Sequence, residues 1–286
     1  METWKMSKSR LCLAFVLVWA VIGTSSGKGE VKRFELDSEA VQTRYSIEVV
    51  VPSDAPSSGT KYPVVYCMDW YIIGDYLKAL PKLTRLGHLI EPCILVGISQ
   101  GDTQDAWATM RTRDYTPARP TDEYSIHNTY PAALDLAGGA AKFTAFLKDE
   151  LIPQIDSQYP SDPTRRCFVG YSLGGLLGVH ILTTNPELFQ YYLLGSPSMW
   201  FNEYYLIPEL ESVPADRLRA IKKVYLSAGE EESWEMLKSF AMVRAALEDK
   251  CSASAKLKTQ VVDESGHVGA MPTALYDGMR FLFDTK

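Results

Sequence analysis

Cysteine is scarce in this chain, five in 286 residues, and no C-x-x-C or H-E-x-x-H occurs. That excludes a disulfide-dense scaffold and the common zinc motifs. Cys67, Cys93 and Cys167 fall in apolar, strand-like runs, where a thiol behaves as a small buried hydrophobe. Cys251 stands in a polar stretch, and Cys12 lies in an apolar segment near the N-terminus. Surplus positive charge is missing as well. The net charge is −6, which argues against nucleic acid as a partner. Past residue 22 no apolar run approaches the ~20 residues of a membrane-spanning helix. Internal repeats and low-complexity linkers are absent. Histidine is limited to His88, His127, His180 and His267, so a catalytic base can be sought by elimination. Nothing in these patterns asks for a metal or an organic cofactor.

The first 27 residues have their own logic. Lys5, Lys8 and Arg10 precede the uncharged run Leu11–Ile22, and "GTSSG" follows. Charge, a short apolar core and a small-residue exit are the pattern of a secretory signal. The expectation is a signal peptide over 1–27, removed near Ser26 or Gly27, and a secreted or periplasmic location. Residues 28–286 then form one domain, more acidic than the whole because the leader carries net positive charge.

From residue 33 onward the pattern is that of α/β architecture. "RFELDSEAVQ" and "TRYSIEVVVPSD" read as two strands turning near Gln42. "PVVYCMD" and "PCILVGIS" are short continuous apolar runs of the fully buried kind. Between them "YIIGDYLKALPKLTRLGHL" reads as a helix broken at Pro81. Residues 100–138 lack periodicity and read as a long loop, a place where function concentrates. Beyond it, strands in "RRCFVGYS", "YYLLGSPSMW", "KKVYLSAG" and "KLKTQVVDESGH" alternate with helical segments. The helix "SWEMLKSFAMVRAALEDK" is expected to turn Trp234, Leu237, Phe240 and Leu247 inward. This alternation implies a mostly parallel sheet, helices on both faces and an antiparallel start. The site should lie at the C-terminal ends of the strands.

Gly170-Tyr171-Ser172-Leu173-Gly174 sits between a buried strand and an apolar helix, the context a G-x-S-x-G nucleophile turn requires. Ser172 is the candidate nucleophile. The Leu173 N–H opens the following helix and can donate to an oxyanion. A serine needs a base. His88 precedes a strand at the far edge, His127 lies in the long loop, and His180 is a packed helix residue. His267 follows the last strand in "DESGHVGAM", where the site should be. The orienting acid must fall between them in the chain, past a strand end. Glu230, Glu231 and Glu232 in "SAGEEES" all qualify, with Asp263 and Glu264 as rivals on the strand leading to His267.

The motifs "YPVVYCMD", "RTRDYTPA", "FLKDELIPQIDSQY", "GYSLGG", "GSPSMW", "SAGEEES" and "SGH" resemble the esterase D and enterochelin-esterase-like branch of the α/β-hydrolases, over nearly all of residues 30–286. The resemblance implies Glu232 as the triad acid, three residues past a strand-ending glycine, with Glu231 and Glu230 as fallbacks. It implies a second oxyanion donor in the turn Met68-Asp69-Trp70-Tyr71. There Trp70 stands where relatives usually carry glycine, and the Tyr71 N–H is the assigned donor.

Substrate contacts are expected from Trp70, Arg111, Arg113, Tyr115 and Trp200, with Trp107 and Trp234 as further aromatic candidates. Arg111 and Arg113 read either as partners for an anionic substrate or, with Asp114, as an internal ion pair holding the loop down. The function implied is a serine carboxylic-ester hydrolase acting on a small-molecule ester, with a catecholate siderophore trilactone foremost. Feruloyl or acetyl esters, acyl transfer, and a binding protein that has lost its chemistry are the alternatives.

Overall fold

The computed structural model describes residues 30–52, 59, 61–85, 89–251 and 255–285, the side chains of 81–85 excepted. The signal-like segment 1–27 and His88 lie outside them. β1 (Glu30–Ser38) and β2 (Thr43–Val51) form an antiparallel hairpin that turns through Gln42, whose φ is 58°. β3 (Tyr62–Cys67) leads to helix α1 (Trp70–Arg85), which continues through Pro81 rather than breaking there. β4 (Ile94–Ser99) follows.

Residues 100–138 are not the loop that their pattern suggested. They hold α2 (Gln104–Tyr115), α3 (Glu123–Asn128) and a short 3₁₀ turn, Pro131–Ala133. Thr103 and Asp122 cap the two helices, each accepting from the N–H three residues on. No apolar stripe marks α2, because its inward face is built from Thr112, Asp114 and Tyr115. Hydrogen bonds rather than hydrophobic periodicity hold it in place.

The helical run α4 (Ala140–Ala145), a π-helical stretch (Phe146–Leu151) and α5 (Ile152–Gln158) precede β5 (Ser161–Tyr171) and α6 (Leu173–Thr184). Then come β6 (Tyr191–Gly195), α7 (Leu206–Ser212), β7 (Lys223–Gly229), α8 (Trp234–Cys251), β8 (Lys256–Val262) and α9 (Met271–Leu282).

The eight strands form one sheet in the order β1-β2-β4-β3-β5-β6-β7-β8. Pairing is antiparallel through β1, β2 and β4 and parallel from β4 to β8. Side chains alternate across it with the period of a strand. Val64, Tyr66 and Met68 enter the larger core, with α4–α8; Val65 and Cys67 enter the other, with α1 and α9. All four described cysteines are free and buried, Cys251 included. Burial pushes the Cys93 thiol up to about 12 and that of Cys251 to about 11, so none is poised as a nucleophile. From β3 the chain crosses first to β4 on one side and later to β5 on the other. That reversal places a crevice at the C-terminal ends of β3 and β5.

Candidate active site

Two turns meet at that crevice. After β5 the chain reverses at Ser172 (φ 61°, ψ −119°) and enters α6 at once. A non-glycine residue in this region is strained by roughly 1–3 kcal/mol, and the surroundings hold it there. The Ser172 N–H donates to the Gly195 carbonyl at 2.9 Å, and its own carbonyl accepts from Leu176 and Ser198. Gly170 cannot be larger, since a Cβ there would stand 2.2 Å from the Gly174 carbonyl oxygen.

The second turn follows β3. Its positive φ falls on Asp69 (54°), not on Trp70, so a tryptophan at the glycine position imposes no backbone strain. Trp70 is already the first residue of α1, and its indole is buried against Gly74 and Gly97. It is a packing residue beneath the turn, not the substrate contact expected.

β3 and β5 are neighbours, with Cys67 opposite Val169, so the two turns lie side by side. A Cβ on Gly174 would be 3.2 Å from Asp69 Oδ2. The N–H groups that open α1 and α6, those of Tyr71 and Leu173 among them, have no partner inside their helices. Asp69 secures this arrangement. Its Oδ1 accepts from Trp107 Nε1 (2.9 Å) and Arg111 Nε (2.7 Å), its Oδ2 accepts from Arg111 Nη2 (3.0 Å), and its N–H donates to the Tyr115 hydroxyl (3.0 Å). The Arg111 guanidinium also lies over the rings of Trp107 and Tyr115. Burial pulls its pKa down, but the Asp69 charge and hydrogen bonds outweigh that and hold it above its ordinary value.

Arg111 and Tyr115 are therefore turn supports rather than substrate contacts. Arg113 is equally committed: it donates to Asp114, Thr43 and the Tyr45 hydroxyl. The internal ion-pair reading holds for it. Trp200 is half-buried, with Nε1 on Met236 Sδ and its ring edge-on to Tyr124. Trp234, expected inward on α8, is 72 % exposed.

The Glu232–His267 pair comes from the far strands. His267 follows β8, and its Nδ1 is 2.8 Å from Glu232 Oε2. Glu230 instead accepts from the Glu264 N–H, and Glu231 points to solvent. Glu232 Oε1 accepts from the Gly229 N–H at 2.9 Å and from the Ser196 hydroxyl. Burial raises its pKa, but hydrogen bonds from His267, Gly229 and Ser196 together hold it below the usual carboxylate range. With Nδ1–H donated to a carboxylate, Nε2 is left as the acceptor. The His267 backbone is tied down too, its carbonyl accepting from the Tyr171 hydroxyl at 2.6 Å. Among the described residues, Ser172 Oγ makes its side-chain hydrogen bond to Ser198 Oγ, at 3.3 Å.

Tyr171, Ser196 and Ser198 were not singled out by sequence reasoning. The first fills the variable position of the G-x-S-x-G pattern, and the other two flank Pro197 in "GSPSMW". The sole sequence signal is that both stretches abut motif residues.

A strained serine on a strand–turn–helix elbow, in a sheet of this order, defines a serine hydrolase of the α/β-hydrolase fold. The chain belongs to the family described as "Putative esterase", which it matches over residues 38–267, and it is an ester hydrolase. It is 28 % identical over 255 residues to the ferri-bacillibactin esterase BesA of Bacillus subtilis (strain 168), covering 83 % of this chain and 84 % of that one. A siderophore enterobactin esterase of Emericella nidulans is 31 % identical over 177 residues, 58 % of this chain and 57 % of its own. Among solved structures, a BES protein from Bacillus cereus superposes with a TM-score of 0.77 at 25 % identity, covering 94 % of this chain and 99 % of that one.

Proposed function

We propose that this esterase works through an acyl-enzyme on Ser172 and hydrolyses the ester bonds of a siderophore lactone. Ser172 Oγ leaves its contact with Ser198 and gives its proton to His267 Nε2 as it attacks the ester carbonyl. Glu232 holds the imidazole in the required tautomer and stabilises the imidazolium. The Leu173 and Tyr71 N–H groups receive the developing oxyanion. His267 then protonates the departing alkoxide, and activated water releases the acid. The observation carrying this reading is the His267–Glu232 pair at 2.8 Å, at the same sheet edge as the strained Ser172. The relatives named for siderophore ester hydrolysis support the substrate class. The N-terminal charge–apolar–small pattern supports export, where such a ligand would be met.

Ser172→Ala should leave the circular dichroism spectrum unchanged and reduce hydrolysis of p-nitrophenyl acetate by at least ~10⁴-fold. A fluorophosphonate should label the native protein at Ser172 alone. Retained turnover in the variant overturns the mechanism.

A further inference from the structure

We propose that the mouth of this site selects uncharged aromatic esters. Of a catecholate lactone it would cleave the metal-free form in preference to the iron(III) complex. The proposal rests on the esterase reading above.

Charge is the first observation. The segments joining β3, β4, β5, β6, β7 and β8 to the helices that follow them contain no lysine or arginine. They do carry exposed Asp102, Glu203, Glu230, Glu231, Asp263 and Glu264. The two arginines that could have met an anion are spent: Arg111 on Asp69, Arg113 on Asp114. Lys238, on α8, lies 4.1 Å over the Tyr204 ring. Arg119, beyond α2, is the exposed cation closest in sequence to that helix.

Exposed apolar surface is the second observation. Val268, directly after His267, is 74 % exposed, and Trp234, two residues after Glu232, is 72 % exposed. Tyr71 and Ile72, at the oxyanion turn, are exposed by 43 % and 46 %. Tyr124, also exposed, packs edge-on to Trp200. Val268, Trp234, Tyr71 and Ile72 stand in the segments or first helical turns that follow the C-terminal strand ends, and large apolar side chains left in water there are what a binding surface offers. Here they offer ring faces and methyl groups to aryl substituents, on or beside connecting segments whose exposed charges are acidic. Three catecholates around iron(III) carry a net charge of about −3, set by six lost protons against one trivalent ion, and an acidic cleft disfavours the approach of such an anion.

The test is kcat/KM on two matched pairs: p-nitrophenyl benzoate against p-nitrophenyl 4-carboxybenzoate, and a catecholate trilactone metal-free against gallium(III)-loaded. The neutral member of each pair should be favoured about tenfold or more, and Trp234→Lys should narrow the gap several-fold. A ratio near one, a preference for the anion, or a ratio that Trp234→Lys leaves in place overturns the proposal. So does a selective loss of the anionic substrates in Arg119→Ala. Turnover of p-nitrophenyl acetate with Ser172 labelling, run alongside, separates this failure from failure of the esterase reading, which would abolish both.

Discussion

Tyr171 occupies the position of the G-x-S-x-G pattern that the motif leaves open, yet its hydroxyl reaches the carbonyl of His267 across 96 residues of sequence. Burial pushes that hydroxyl up to about 12, so it remains a donor throughout the working range. Beside it the Ser196 hydroxyl meets Glu232. In the proposed mechanism the two act through His267 rather than on substrate, as positioning residues. Tyr171→Phe keeps the ring and removes the tether, a hydrogen bond of about 1 kcal/mol. Its expected result is a kcat lowered about fivefold to tenfold with KM little changed, and an altered pH–rate profile; an unaltered profile would mean that the tether is only structural. The choice among the three glutamates is also made at this scale. Adjacent residues of one type are indistinguishable by spacing, and only the turn after β7 points Glu232 at the imidazole.

At the level of elements, two short turns carry the proposed chemistry. The β5–α6 elbow was legible in the sequence because the G-x-S-x-G pattern falls between a buried strand and an apolar helix, and close approach forces the glycine at Gly170. The β3–α1 turn was legible in place but not in conformation. Trp70 stands at the position where relatives usually carry glycine, but the left-handed residue is one earlier, on Asp69, a residue type that tolerates it. Helix α2 was missed because its function is to deliver Trp107, Arg111 and Tyr115 to Asp69, and polar supports leave no hydrophobic period to read. The Arg111–Asp69 pair is nearly dry, with side chains 11 % and 5 % exposed. Removing one partner of such a pair leaves a buried charge, at a cost of about 3–5 kcal/mol. Arg111→Lys retains the charge but not the two-pronged geometry. It should therefore fold, with kcat reduced about tenfold to a hundredfold as the oxyanion turn loosens, a fraction of what loss of a whole donor costs. Steady-state kinetics with thermal melts distinguishes this from simple destabilisation, which would lower Tm without changing kcat of the folded fraction.

Across the whole molecule, stability and pH are linked through His180. It is buried in α6, and its Nδ1 finds no hydrogen-bond partner among the described residues. Burial lowers its pKa to about 4. The unfolded chain, with an ordinary imidazole near 6.5, binds the proton more tightly. The His180 contribution is therefore fully present above about pH 6.5 and is lost as pH falls toward 4, by about 2 kcal/mol between pH 7 and pH 5. Urea unfolding at those two pH values should show this slope in the native protein and a shallower one in His180→Leu. Equal slopes would remove His180 as the cause.

The sequence by itself determined the class of this protein. Continuous apolar runs between helical segments dictate a buried parallel sheet. Glycines that only close backbone approach can explain mark the nucleophile turn, and four histidines leave one at a strand end. The tertiary structure decided what depends on direction and distance. It chose Glu232 over its two neighbours. It turned Trp70 under the sheet edge and Trp234 out to water. It also committed Arg111 and Arg113 to carboxylates of the chain itself. Sequence order constrains which residues can approach one another. Which atoms meet, and which charges remain free for a ligand, is settled only when strands far apart in the chain, such as β3 and β5, lie side by side.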